Sequence, residues 1–174
     1  MKTLGNIVFA IFLLLGTAAA AWPQTHDPLN PNEIDDLRDT NQVPDQRLKL
    51  LVQFAGARLV QIPQVRSDPK IAAADRPERV HELLQDFTSI YDQLGDNLDM
   101  YRDQNADLRK PLKLIIEGDS NFQGRLRQLK ESSSPEEMKQ YAFILSNAID
   151  AVHDGAAEHR KLLAEENAKP RKKK

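Results

Sequence analysis

The sequence predicts an all-α protein, and two observations carry that prediction. Apolar residues recur at intervals of three and four along most of the chain, and no window shows the sustained alternation that marks a β-strand. Nine of the ten prolines also fall outside the interiors of the predicted helices. We therefore expect an antiparallel helical bundle or elongated helical hairpins around one long, kinked central helix.

Residues 1–21 predict a cleaved signal peptide that takes no part in the fold. A lysine near the start is followed by an uncharged apolar run at 7–15 and by small residues at 16–21. The apolar run is shorter than the roughly 20 residues that a membrane-spanning helix needs. We expect cleavage after Ala20 or Ala21, an exported protein that is periplasmic or secreted, and no transmembrane segment after cleavage.

Residues 22–31 contain three prolines and no periodic apolar pattern, so they predict a proline-rich linker. A single helical domain is expected over residues 32–166. Its first element is a short helix at 33–38, whose acidic start suits the positive end of the helix dipole. A longer helix begins at Pro44, and Pro63 is predicted to end it.

The most regular pattern lies between residues 77 and 131. Apolar residues there alternate steps of four and three, a period of about 3.5 residues that is typical of a helix packed lengthwise on another helix. Asn105 and Asp119 interrupt the apolar set. Pro111 and Gly118 favour bends, and because the period continues past both we expect a kinked central helix rather than a reversal of direction.

Two capping patterns mark the starts of later helices. Asp75 and Glu78 are spaced as an N-cap and its partner at the start of the central helix. Ser134 and Glu137 have the same spacing and predict a last helix over 135–166. The two outer helices could line the central one end to end, which would expose apolar edges and favour a dimer, or bending could give a compact bundle.

The charge of the chain is divided unevenly. The chain has 24 Lys and Arg against 26 Asp and Glu, but without residues 1–21 and the last six residues the balance is 18 against 26, or −8. Residues 167–174 predict a disordered basic tail. The tail either solubilises the chain and balances its acidic body, attaches to that body, or binds an anionic envelope surface or lipid headgroups rather than a specific nucleic acid. The candidate polyanion-binding residues are Lys169, Arg171, Lys172, Lys173 and Lys174.

Composition excludes several kinds of chemistry. Without cysteine there is no disulfide, thiolate metal site, thiol nucleophile or covalent haem attachment. The serines at 132–134 lack the glycines of a nucleophile elbow, and no glycine-rich phosphate loop occurs. A non-covalent haem would need Met100 and His159 to face one cavity, and no pocket pattern accompanies them. We therefore expect no enzymatic activity and no cofactor.

Two carboxylate-x-x-His motifs are the candidates for a metal site. Glu78 with His81, and Asp150 with His153, each place a carboxylate and an imidazole on one helical face, as in four-helix bundles that hold two metal ions. Each histidine, however, follows an inward valine and should flank the core. Because acidic residues are abundant, chance spacing explains both motifs, and the prediction is that no metal is bound.

Three functions are compatible with these features. The first is a non-enzymatic protein that acts through protein–protein interaction, as a scaffold, adaptor or chaperone-like protein whose apolar seam recruits an unknown partner or a second copy. The second is an envelope or polyanion binder that uses the basic tail. The third is a carboxylate/histidine metal-binding bundle.

Overall fold

The computed structural model describes residues 26–170, and these residues form five α-helices and no strand. The prediction of an all-α helical bundle is confirmed. The predicted signal peptide at 1–21 lies outside the described residues. None of the described helices combines the length and hydropathy needed to cross a bilayer. The helices are α1 (Pro31–Asp39), α2 (Pro44–Ser67), α3 (Arg76–Asp103), α4 (Arg109–Ser132) and α5 (Pro135–Ala168).

The four long helices form a compact bundle. Helix α2 packs against α3 and α4, and α5 packs against the same two helices, so α3 and α4 lie on one diagonal of the bundle. Successive helices alternate in direction, and the neighbours α2 and α4 run parallel, as do α3 and α5. The short helix α1 packs on the outside of α2. The four-helix arrangement places four different helix–helix grooves on the surface.

The predicted long central helix is wrong, because the chain reverses direction between α3 and α4. Asn105 takes a left-handed backbone conformation (φ 57°), which asparagine adopts more readily than most residues. Leu108, at the end of the connection, is fully buried, so the apolar period continues through a loop. Pro111 lies in the first turn of α4, where proline is tolerated, and Gly118 lies inside α4 beside Val52. The reversal rules out the elongated arrangement and gives the compact bundle.

The end of α2 also differs from the prediction, because Pro63 does not end it. The helix continues to Ser67. Its last turn is held by Arg66, which donates hydrogen bonds to the carboxylate of Glu137 at the start of α5 and to the backbone oxygen of Ser132 at the end of α4. These tertiary contacts outweigh the helix-breaking tendency of the proline.

One of the two predicted N-terminal capping pairs is present in the structure. Ser134 and Glu137 form the reciprocal capping box that their spacing predicts. The box of α1 is formed by Glu33 and Asn30, and Asn30 lies inside the predicted linker at 22–31. The backbone of Asp75 is already helical (φ −91°, ψ −16°), so the cap predicted with Glu78 does not form between these two residues.

The apolar seam predicted from the sequence is the internal core of the bundle. Its side chains in α3, α4 and their connection are all buried, and they meet buried side chains of α2 and α5. The seam is therefore satisfied within the chain and does not form an outer surface for a partner. The buried seam residues are Val80, Leu84, Phe87, Tyr91, Leu94, Leu98, Tyr101, Leu108, Leu112, Ile115, Phe122, Leu126 and Leu129.

Candidate functional site

The structure does not bring the two carboxylate-x-x-His motifs together. Nδ1 of His81 lies 3.1 Å from the backbone oxygen of Gln140 on α5. His153 lies 13 residues farther along the same helix, or about 20 Å at 1.5 Å per residue. In the part of the chain that the structure describes, no group of three or more histidine and carboxylate side chains is placed to hold a metal ion. The pairs Glu78–His81 and Asp150–His153 are thus separate surface features.

Part of the predicted basic tail is ordered against the bundle. Helix α5 continues to Ala168 rather than ending at residue 166, and the ammonium of Lys169 forms an ion pair with Glu166. Lys169 and Glu166 line a small cleft together with Arg109, at the start of α4. The remaining candidates, Arg171, Lys172, Lys173 and Lys174, lie outside the described residues. The last described residues, Lys169 and Pro170, therefore lie beside the first turn of α4.

The two candidate haem ligands do not share a cavity. Met100 is 39% exposed on α3, whereas His159 is buried on α5 and points to Asp119. Asp119, the polar interruption of the apolar seam in the sequence, thus contacts His159 inside the core and does not break helix α4.

A buried polar cluster, here called the core triad, connects three helices through Tyr91, Asp119 and His159. The hydroxyl of Tyr91 donates a hydrogen bond of 2.8 Å to one carboxylate oxygen of Asp119, and Nδ1 of His159 lies 2.8 Å from the other. Burial, together with the negative charge of Asp119 and the hydrogen bond to it, raises the pKa of Tyr91. Gly155 makes room for this arrangement, because a methyl group there would overlap the Tyr91 hydroxyl.

The core triad is arranged as a structural network. An aspartate that orients a histidine is a familiar part of acid–base catalysis, but here Asp119 is 0% exposed and both partners are 6% exposed. The rings of Phe87 and Phe122 pack edge to face beside the triad, with centroids 5.3 Å apart. A substrate would have to enter between three packed helices, so we assign the triad to the core rather than to a catalytic site.

A second buried cluster, the Arg58 cluster, consists of Arg58, Glu33 and Asp86. The guanidinium of Arg58 donates two hydrogen bonds, of 2.8 and 2.6 Å, to the carboxylate of Glu33 and a third to the backbone oxygen of Pro28. Burial alone would raise the pKa of Glu33, but the hydrogen bonds from Arg58 and from the backbone of Asn30 hold it below its usual value. The cluster fastens α1 and the segment before it to the bundle.

Charge is segregated between the two layers of the bundle. Helices α2 and α4 together carry ten Lys and Arg against four Asp and Glu, whereas α3 and α5 carry six against fourteen. The exposed side of α3 has Asp92, Asp96, Asp99 and Asp103, and burial together with the charge of Asp96 raises the pKa of Asp92. Helix α4, with a net charge of +3, lies diagonally opposite α3, with −4. The molecule is therefore electrically polarised across its width.

Most of the unpaired cations lie on two adjacent helices of the bundle. Within residues 26–170, six Lys and Arg side chains make no hydrogen bond or ion pair with a described residue, and three of them lie on α4 and one on α5. We call these four the basic edge. The two others are Lys49 on α2 and Lys70 in the connection after α2. The basic edge consists of Lys113, Arg127, Lys130 and Arg160.

The basic edge contains a concave site. Gln123, Arg127 and Lys130 of α4 face Ile149 and His153 of α5 across a cleft of about 230 Å³, which we call the α4–α5 cleft. Arg127 and Lys130 share one side of α4 because they are three residues apart. The neighbouring acidic residues, such as Glu131 and Asp150, are exposed at its margins.

No sequence motif marks the α4–α5 cleft, so it could not be predicted from the sequence. Arg160 follows His153 by seven residues, and Lys113 precedes Arg127 by fourteen, so helical periodicity places each pair on one side of its helix. The net positive charge of α4, counted separately from the other helices, is the signal in the sequence that points to this site. The packing of α4 against α5, which brings His153 to the cleft, cannot be read from that charge.

Comparisons with known proteins identify no relative of this chain. Comparison of the chain with protein-family models, with curated proteins and with solved structures finds no match. The features of the molecule that bear on its function are therefore the basic edge, the α4–α5 cleft and the segregated charge.

Proposed function

We propose that this protein is a non-enzymatic binding protein that docks on an anionic phospholipid surface through its basic edge, with the basic tail as a second contact. The observation that carries the proposal is the concentration of unpaired cations on the adjacent helices α4 and α5, two of them at the α4–α5 cleft. Most other exposed cations are paired within the chain, as Lys110 is with Asp45 and Lys161 with Glu158. Cations without internal partners can neutralise an outside anion without breaking an existing ion pair.

The length and position of the basic edge suit a surface contact. From Lys113 to Lys130 it extends over 17 residues of α4, or about 26 Å at 1.5 Å per residue. Its upper end lies near Arg109 and Lys169, beside the last described residues. The edge and the tail can therefore contact one surface together. The acidic exposed side of α3, on the opposite diagonal, would be repelled and would orient the molecule.

Export is part of the same proposal and is supported by the signal pattern at 1–21. Outside the cytoplasm, the abundant anionic surfaces are lipid headgroups and envelope polymers rather than nucleic acid. A phospholipid surface is preferred here because a cleft that admits one small anion fits a headgroup. Binding to an anionic envelope polymer, with no binding to vesicles, would contradict this choice.

The proposal is tested by sedimentation of the full chain with vesicles that contain phosphatidylglycerol. Each Lys or Arg near an anionic surface contributes about 1 kcal/mol, so neutralising all four edge cations to Gln should weaken binding by about a thousandfold. The matched control neutralises four other exposed cations and should bind nearly as well as the wild type. An equal loss in both variants would contradict a specific edge. The control residues are Lys49, Lys70, Lys139 and Lys161.

The contribution of the tail is measured by deleting residues 169–174. Because five cations are removed, vesicle binding should weaken and its dependence on salt should fall. The edge variant and the deletion should have additive effects if both parts contact the same surface. Unchanged binding after the deletion would remove the tail from the proposal.

A protein-interaction role, as a scaffold, adaptor or chaperone-like protein, is the second candidate. It is favoured by Phe143 on α5, which is 79% exposed. A phenylalanine in that position gains free energy when a partner covers it. Site-specific crosslinking from position 143 in the native envelope should give one defined product, which the Phe143→Ser variant loses. A chain that forms no defined product would contradict this role.

A further inference from the structure

We infer that the α4–α5 cleft binds one phosphomonoester group. The inference rests on the proposed docking function and gives it a specific ligand, since it distinguishes a site of defined chemistry from a diffuse attraction between opposite charges. The cleft lies at the Lys130 end of the basic edge and is lined by side chains of both helices.

The cleft is lined by several side chains that can donate hydrogen bonds. The guanidinium of Arg127 presents a planar fork that matches two oxygens of a phosphate, and Lys130 adds a point charge one turn away. Neither side chain has a partner among the described residues. Nδ1 of His153 lies 3.2 Å from a carboxylate oxygen of Asp154, and its Nε2 makes no hydrogen bond to a described residue. The amide of Gln123 can donate as well.

Size and charge select the class of ligand. A cleft of about 230 Å³ is smaller than the 300 to 1,000 Å³ typical of sites for drug-sized ligands, so it admits a headgroup rather than a nucleotide or a whole lipid. A phosphomonoester carries a charge of about −1.5 to −2 at neutral pH, with three free oxygens. A phosphodiester has two free oxygens and one charge. The two cations that line the cleft, Arg127 and Lys130, therefore favour the monoester.

The discriminating experiment compares two kinds of vesicle at equal surface charge, one with phosphatidic acid and one with phosphatidylglycerol. The full chain should bind the phosphatidic acid vesicles about tenfold more tightly, because the monoester gains about one additional charge-assisted hydrogen bond. The Arg127→Gln/Lys130→Gln variant should lose this preference. The control, Lys113→Gln/Arg160→Gln, lies on the same edge outside the cleft, and it should bind both vesicles more weakly while keeping the preference.

The outcomes separate this inference from the proposed function. Equal binding of the full chain to both vesicles overturns the phosphomonoester site and leaves surface docking intact. Binding to neither kind overturns both. A preference that survives in the Arg127→Gln/Lys130→Gln variant places the site elsewhere and also overturns the inference.

Inorganic phosphate alone tests whether a soluble ligand is also accepted. In the full chain, millimolar phosphate should shift the NMR signals of Arg127 Nε and of the His153 ring, and the double variant should lose the shift at His153. Shifts with phosphate support a site for soluble phosphomonoesters, and shifts with phosphatidic acid vesicles alone support a lipid headgroup. Absence of shifts with both overturns the inference.

Discussion

The core triad and the Arg58 cluster are both buried and polar, but they stabilise different parts of the molecule. The core triad joins α3, α4 and α5 in the middle of the apolar core, and its aspartate is completely buried. The Arg58 cluster lies under α1 and includes a guanidinium, two carboxylates and a backbone oxygen. The buried aspartate of the core triad therefore fixes how α3, α4 and α5 align, whereas the Arg58 cluster attaches the short helix α1 to the bundle.

Removal of Asp119 should have the largest effect. In Asp119→Ala, Tyr91 and His159 lose their shared partner in the core, and we expect a loss of about 3–5 kcal/mol in the free energy of unfolding. Urea denaturation followed by circular dichroism measures it. The matched control is the triple variant Tyr91→Phe, Asp119→Leu, His159→Leu, which removes every polar group together and should recover much of the loss. A triple variant as unstable as Asp119→Ala would contradict this account.

The second prediction concerns the space that Gly155 leaves for Tyr91. Because a methyl group in Gly155→Ala would overlap the Tyr91 hydroxyl, the ring must move and weaken its bond to Asp119. We expect a loss of about 1–3 kcal/mol. The control is Gly124→Ala in α4, where a methyl group meets no atom within 4 Å and should stabilise the helix by about 0.5–1 kcal/mol. Changes of the same sign in both variants would show that helix propensity dominates.

The Arg58 cluster should respond locally rather than globally. Arg58→Leu leaves the carboxylate of Glu33 without its cation, but α1 can separate from the bundle and return that carboxylate to water. We therefore expect a cost limited to about 2 kcal/mol. Native-state hydrogen exchange should show faster exchange in α1, while amides in the middle of α3 keep their protection. Equal loss of protection in both helices would contradict a peripheral role.

The comparison also explains which features could be predicted from the sequence. The helix starts and the apolar seam depend on neighbours within a few residues, and the capping box of Ser134 formed as expected. The chain reversal at Asn105 was missed because Leu108 continues the apolar period inside the connection. Likewise, Asp119 was visible as a polar interruption, but its partner His159 is 40 residues away.

The basic edge is the feature that could be predicted least from the sequence. Lys130 and His153 line one cleft because α4 packs beside α5, and the order of helices around a bundle is set by the sum of many side-chain contacts. No spacing within one helix encodes that order. The sequence motif that included His153 pointed instead to a metal, with Asp150 on its own helix.

The last and smallest prediction uses pH to separate the two clusters. The pKa of Glu33 is lowered in the folded state, so the stability it contributes is present above pH 4.5, its unfolded value, and is lost as pH falls through the folded value. The pKa of Tyr91 is raised above its usual 10.0, so the unfolded chain alone releases that proton and stability falls as pH rises past 10. Acid should thus weaken the Arg58 cluster, and alkali the core triad.

The measurement is the free energy of unfolding across the full pH range. A group that ionises only in the unfolded state changes it by about 1.4 kcal/mol per pH unit. Tyr91→Phe should reduce the alkaline slope by up to that amount while leaving the acid side unchanged, and Glu33→Gln should reduce the acid slope alone. Part of the acid slope should persist in Glu33→Gln, because hydrogen bonds from Arg66 and Ser134 outweigh burial and hold the pKa of Glu137 below its usual value. A Tyr91→Phe variant with the same alkaline slope as the wild type would contradict the assignment to Tyr91. The slope would then come from another tyrosine, because burial also raises the pKa of Tyr101 and Tyr141.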